Sequence, residues 1–298
     1  MGTVNVLGYP SSAAAYCVGV EEAPAALRAA GLLGAIEAAG HAVRDHGDLQ
    51  RRRWSPDRER PTAQNIDDEV DGLRELIKRG SVLISPGERL LVIGGSCTVA
   101  VGLCAVAARA GIDAGLVYVD RHLDLNTPSS TTEGSLSWMG MAHALGLEGA
   151  ARELVEVGEA WPLLRPDQLS YLGVDLDATT AWEREQVEEL GLSVVPQAEL
   201  VTAPERAADK ARRALPAGAF LVHVDVDVLD FLEAPLAENV NGRNSGPTLA
   251  QLGLALDVLW RDPDCLGVSV GQIVPAHAAS EPTSLARLVD ALAPPTDR

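Results

Sequence analysis

The 298-residue chain carries 42 acidic against 24 basic side chains, a formal net charge of −18. That balance excludes a nucleic-acid phosphate backbone or an anionic membrane as a partner recognised over the whole surface, because both would be repelled. With 47% hydrophobic but only 4% aromatic residues, the core is expected to be mainly Ala, Val and Leu, which suits buried parallel strands covered by Ala/Leu-rich helices.

In chain order, β-rich runs at 3–8, 41–47, 89–95, 114–120, 169–175, 192–196, 220–227 and 265–271 predict eight strands. Between the first two, "APAALRAAGLLGAIEAAG" (23–40) reads as an amphipathic helix, and "NIDDEVDGLRELIKRG" (65–80) reads as another. The charged, Pro-containing stretch 48–64 has no periodicity and reads as a long surface connection, in which Trp54 is either solvated or the cap of a pocket. A second long connection, 230–247, follows Asp225 and Asp227; loops after strands are where such sheets build their sites. The alternation predicts an α/β fold with a mostly parallel sheet, and the length allows one domain or two.

Cys17, Cys97, Cys104 and Cys265 show no CxxC spacing, so neither a zinc knuckle nor a disulfide framework is indicated. The N-terminus lacks the marks of an export signal and no apolar run reaches membrane-spanning length, so a cytoplasmic protein is expected, with no membrane and no nucleic-acid partner.

The chemistry concentrates after the fourth and seventh strands. In "LVYVDRHLDLNTP" (116–128), Asp120, His122 and Asp124 alternate, and in an extended segment they project to one side. Asp225 and Asp227 in "VHVDVDVLD" repeat the pattern. Parallel strands point their C-terminal ends the same way, so the two clusters can meet. Carboxylates crowded in one crevice repel unless cations sit among them, and oxygen ligands with one imidazole suit Mn²⁺ better than a closed zinc site.

With the segments "GVEEAPAALRAAGLL", "RDHGDL", "IGGSCTVAVG", "TTEGSLSWM" and "VGQIVP" falling in the same order, the chain resembles the ureohydrolases, the arginase and agmatinase superfamily. The resemblance implies a single domain over 1–298 with a three-layer αβα fold around an eight-stranded sheet, and two Mn²⁺ ions per chain. Asp120 and Asp225 are then expected to bridge the ions, His122 and Asp227 to complete one, and Asp124 to serve the other. It also implies a small guanidine substrate and either a monomer or a homo-oligomer such as a trimer or hexamer.

Three positions depart from the family pattern. Where a histidine ligand follows the Gly-Gly turn, this chain has Cys97, preceded by Ser96; a thiolate ligand would favour softer ions such as Zn²⁺ or Fe²⁺, and the competing reading is an inert buried thiol. Ser137 replaces the loop histidine, with His143 nearby in sequence on a surface or core helix position. Gln272 stands in place of the guanidinium-pairing glutamate and cannot neutralise a cation. Asp124, Ser137 and Gln272 are the expected catalytic positions. For substrate binding the resemblance points to Asn126, Glu133, Asp175, Asp177 and Gln272, although a carboxylate at Glu133 would repel a substrate carboxylate.

The cysteine and the missing loop histidine are shared with the Nω-hydroxy-L-arginine amidinohydrolase branch. The expected reaction is therefore hydrolysis of Nω-hydroxy-L-arginine to L-ornithine and hydroxyurea. Arginase, agmatinase or peptide-arginine hydrolysis is the nearer alternative, and a degenerate binding protein on the same fold is the more distant one.

Overall fold

The computed structural model describes residues 2–85, 87–239 and 244–296; residues 240–243 of the connection 230–247 lie outside the described residues. Eight strands form one sheet: β1 Thr3–Gly8, β2 Ala42–Asp48, β3 Glu88–Ile93, β4 Gly115–Val119, β5 Leu169–Val174, β6 Ser193–Pro196, β7 Phe220–Asp225 and β8 Cys265–Gly271. Their order is β2-β1-β3-β8-β7-β4-β5-β6, and every pair is parallel. All eight predicted strands are present, with the seventh ending at Asp225 because Val226–Val228 closes into a 3₁₀ turn.

The helices are α1 Ala23–Ala29, α2 Leu32–Ala38, α3 Ile66–Gly80, α4 Val99–Arg109, α5 Gly140–Leu145, α6 Arg152–Val155, α7 Ala181–Leu190, α8 Gln197–Thr202, α9 Pro204–Ala214, α10 Leu249–Arg261 and α11 Ser284–Leu292. The expected single helix over 23–40 is two, because Gly31 takes φ 98° and starts a new helix at Leu32. Alternation along each strand separates two cores. Val117 and Val119 of β4 and Val222 and Val224 of β7 pack with α1, α2, α9, α10 and α11, whereas Leu116 and Tyr118 pack with α3, α4 and α5 on the other face. The product is the expected three-layer αβα fold.

The edge strand β2 is mostly exposed and carries Arg44, Asp45, His46 and Asp48, charges that discourage pairing with another chain. No helix is long and apolar enough to cross a membrane, among the described residues.

Candidate active site

Four neighbouring strands, β3, β8, β7 and β4, end at the same edge of the sheet, and each delivers site residues there. Tyr118 lies opposite His223 in the β4–β7 register, their rings stacked with centroids 4.9 Å apart. Asp120 and Asp225 come two residues later on the same parity. Beyond them each chain turns sharply: the His122 backbone N–H donates to Asp120 Oδ1 at 2.6 Å, and the Asp227 N–H donates to Asp225 Oδ1 at 2.7 Å. These turns swing His122 Nδ1 to 3.0 Å from Asp227 Oδ2 and 3.4 Å from Asp120 Oδ1. The Cys97 thiol donates to Asp225 Oδ2 at 2.8 Å, and the Tyr118 hydroxyl donates to Asp124 Oδ2.

Cys97 reaches this point through the Gly94–Gly95 turn after β3. Both glycines have positive φ, 96° and 84°, and a Cβ on Gly95 would stand 2.5 Å from the Tyr9 ring. The turn is tied to β8, with Gly94 N–H donating to Val270 O and Gln272 N–H donating to Gly95 O, both at 2.9 Å. Asp124 and Gln272 are themselves left-handed, at φ 52° and 62°, a conformation that non-glycine residues seldom adopt.

The electrostatics express the crowding. Burial, then the neighbouring Asp227 carboxylate, pushes Asp120 up to about 6. Burial likewise drives Asp124 and Asp225 well above the usual carboxylate range, reinforced by Asp120 on the first and Asp227 on the second. The Cys97 thiol is pushed up by burial and then by Asp225, Asp124 and Asp120. Burial works against a charged His122, but Asp227 and Asp120 outweigh it and raise the imidazole well above its ordinary value. The shifts express the mutual repulsion of buried carboxylates, which a bound divalent cation would offset.

The donor set fits divalent cations. Cys97, Asp120 and Asp225 offer ligand atoms within 4.8 Å of one another, as do Asp120, His122 and Asp124. Asp120 belongs to both groups, and its buried Oδ2 has no hydrogen-bond partner. Carboxylate oxygens with one imidazole are a hard, Mn²⁺-compatible set, and Cys97 adds the single soft donor.

Above these residues lies a cavity of about 250 Å³ lined by Cys97, His122, Asp124, Ser137, Asp225, Asp227 and Gln272 together with Tyr16, Trp138, Ala178, Thr180, Glu183, Glu238 and Asn239. Asn126, Glu133, Asp175 and Asp177 are not in its lining. Asp175 pairs with the buried Arg121 at 3.0 Å, and Asp177 is exposed. Asn126 is buried, its Oδ1 3.4 Å from the Ser130 hydroxyl and 3.5 Å from that of Thr180. Glu133 is half-buried and accepts from the Ser135 N–H at 3.1 Å; burial raises its carboxyl, with the Ser135 amide and the Tyr16 hydroxyl opposing. His143 is a core residue. Its Nδ1 lies 2.6 Å from Met139 O and its Nε2 accepts from Ala151 N–H at 3.0 Å, and burial lowers it to about 4. Trp54 is half-buried outside the cavity lining.

Several site residues escaped the sequence reading. Tyr118 was discoverable, since it sits two residues before Asp120 on the same strand face. Tyr171, whose hydroxyl donates to Leu123 O at 2.7 Å and so pins the turn carrying Asp124, gave no such signal. Neither did Tyr16 and Glu238, which come from irregular segments, or Trp138, which comes from the short 3₁₀ helix Ser137–Met139.

A family model described as the arginase family matches residues 3–290. The arginase of Brevibacillus brevis is 28% identical over 236 residues, covering 78% of each chain. The crystal structure of arginase from Bacillus cereus superposes with a TM-score of 0.86 over 100% of both chains at 22% identity. That of Trypanosoma cruzi formiminoglutamase with manganese does so with a TM-score of 0.69 at 16% identity, over 98% of this chain and 94% of that one. The structural likenesses establish the shared fold, and with the match along nearly the whole sequence the chain belongs to the arginase family of ureohydrolase-type hydrolases.

Proposed function

We propose that the chain uses two Mn²⁺ ions to hydrolyse a guanidine-type C–N bond in a small molecule. The observation that carries this reading is the gathering of Asp120, His122, Asp124, Asp225 and Asp227 at and just beyond adjoining strand ends beneath a cavity, with the buried Asp120 Oδ2 unpaired. Bound there, two divalent cations supply an activated water at neutral pH and polarise the group it attacks. Asp120 and Asp225 would each contribute ligand oxygens to the ions, and a Cys97 thiolate ligand would shift their preference toward softer metals. Arginase-type hydrolysis of an unmodified guanidinium is the substrate reading that the named relatives support.

One observation favours Nω-hydroxy-L-arginine as a second reading. The Ser135 hydroxyl donates to Ala14 O at 2.9 Å, so the 2.8 Å contact between the Ser135 and Ser137 hydroxyls must use the Ser137 proton. Ser137 therefore offers the cavity only acceptor lone pairs and cannot protonate a departing amine, help that is typically worth ~10²–10⁴-fold. An N-hydroxyguanidine has a leaving group that needs less of that help. The test is a side-by-side turnover assay of Mn²⁺-loaded protein with L-arginine and Nω-hydroxy-L-arginine, following ornithine, urea and hydroxyurea. Metal-dependent release of ornithine is expected, with urea marking the first substrate and hydroxyurea the second. Silence on both, with less than one tightly held ion per chain, would mean a degenerate site and overturn the hydrolase reading.

A further inference from the structure

Glu238 and Gln272 both line the cavity; their side chains lie close enough for Gln272 to lower the Glu238 carboxyl, yet the buried Glu238 Oε2 and Gln272 Oε1 make no hydrogen bond of good geometry among the described residues. The backbone holds their residues side by side, the Glu238 N–H donating to Gln272 O at 3.0 Å. Glu238 is a fixed group: its Oε1 accepts from the Tyr16 and Cys17 amides at 2.7 and 3.0 Å. Buried acceptors left without donors are costly, and these two adjoin the same cavity. No Lys or Arg lines that cavity among the described residues, and the one imidazole in its lining, His122, is turned to Asp227 and Asp120. A rigid planar cation with several N–H donors meets both needs at once, because it pairs with the charged oxygen and also serves the neutral one.

We propose that Glu238 is the residue that selects a cationic guanidinium head group in this cavity, with Gln272 Oε1 accepting a second N–H of the same group. The inference rests on the reading that the cavity takes a guanidine, and it deepens that reading: the negative charge absent from Gln272 is supplied by its neighbour. Tyr16 and Trp138 add aromatic surface to the same wall, an environment suited to a delocalised cation. Burial, with the Tyr16 and Cys17 amides, the Cys17 thiol and Gln272 opposing, pushes the Glu238 carboxyl up to about 7. A bound cation would draw it back to the ionised form.

The test uses Mn²⁺-loaded protein at pH 8.5 and two probes of one shape, methylguanidinium chloride and neutral N-methylurea, titrated by calorimetry. Wild type is expected to bind the cation ~10–100-fold more tightly, the range of a charge-assisted pair. Glu238→Gln should erase that preference with Mn²⁺ content intact, and adding Gln272→Glu in the same chain should restore it. Gln272→Glu alone should raise the preference further, which keeps the test open if Glu238→Gln folds poorly. Persistence of the preference in Glu238→Gln, no response to Gln272→Glu, or a wild type that does not distinguish the probes overturns the inference, whatever the protein hydrolyses. Selection through Glu238 without turnover of either arginine would count against both as substrates and leave this inference standing.

Discussion

At the scale of single residues, the site concentrates groups in states that folding disfavours. Asp124 and Gln272 hold left-handed backbone, which costs roughly 1–2 kcal/mol for a residue with a Cβ. Glu238 is pushed up to about 7 from an ordinary value of about 4.3, so the folded chain binds more protons than the unfolded chain between those values. The sign follows directly: Glu238 makes stability fall as pH rises from about 4.3 to about 7, and the loss is complete above that window. Glu238→Gln should therefore be more stable than wild type at pH 8.5 by about 1–3 kcal/mol, a few degrees in Tm, with the gap nearly closed at pH 5. Tyr16, Cys17 and Glu133 also surround this part of the cavity, so the measurement is the variant-minus-wild-type difference across pH. A gap that does not change with pH would remove Glu238 from the titration. Asp120, His122, Asp124, Asp225 and Asp227 were readable because acids and an imidazole at every second position directly follow apolar runs, although the strands end at Val119 and Asp225 and it is turns, not strand alternation, that bring His122, Asp124 and Asp227 to the site. Glu238 was not readable, because the 230–247 connection has no period and its pairing with Gln272 depends on two loops meeting in space.

At the scale of elements, the Gly94–Gly95 turn converts a strand end into a ligand position. Gly95 has φ 84° and no room for a Cβ beside the Tyr9 ring, which is itself fixed by its hydroxyl bond to Glu69 at 3.0 Å. Gly95→Ala is expected to cost about 2–4 kcal/mol from backbone strain plus overlap, and to shift Cys97 enough to lower metal content. Urea unfolding and metal analysis check both, and an unchanged midpoint would mean that the turn relaxes freely. Elements were the most legible level of this fold: strands with apolar runs bounded by Gly, Asp or Pro were found within a few residues of their true ends. The 23–40 helix was misread because its apolar period continues across Gly31, and only the glycine's positive φ marks the break. Asp175 illustrates the opposite limit. Its distance from the cavity follows from pairing with Arg121 on a different strand end, a contact that no spacing within β5 encodes.

For the whole molecule, the relevant quantity is how much of the −18 charge is packed at one sheet edge. Without cations, raised Asp120, Asp124 and Asp225 and raised His122 all make stability fall as pH rises, since each group binds more protons folded than unfolded. Metal binding has the opposite demand, because ligands must be deprotonated. Chelation should thus lower Tm by about 6 °C near pH 8, the effect of ~4 kcal/mol of linkage in a chain of this size, and by much less at pH 5.5. Equal shifts at both pH values would show that the acidic cluster does not hold the ions. The sheet order also sets when this edge can exist. β8, the last strand made, lies between β3 and β7, pairing Leu90 with Gly267 and Val222 with Val268. A ribosome-bound chain that has not yet released β8 exposes two unpaired inner edges, the kind of surface that draws strands of other molecules. Contacts so distant in sequence also slow folding. Insertion of β8 between β3 and β7 is thus both the step that brings Cys97 against Asp225 and the step that covers the two inner edges.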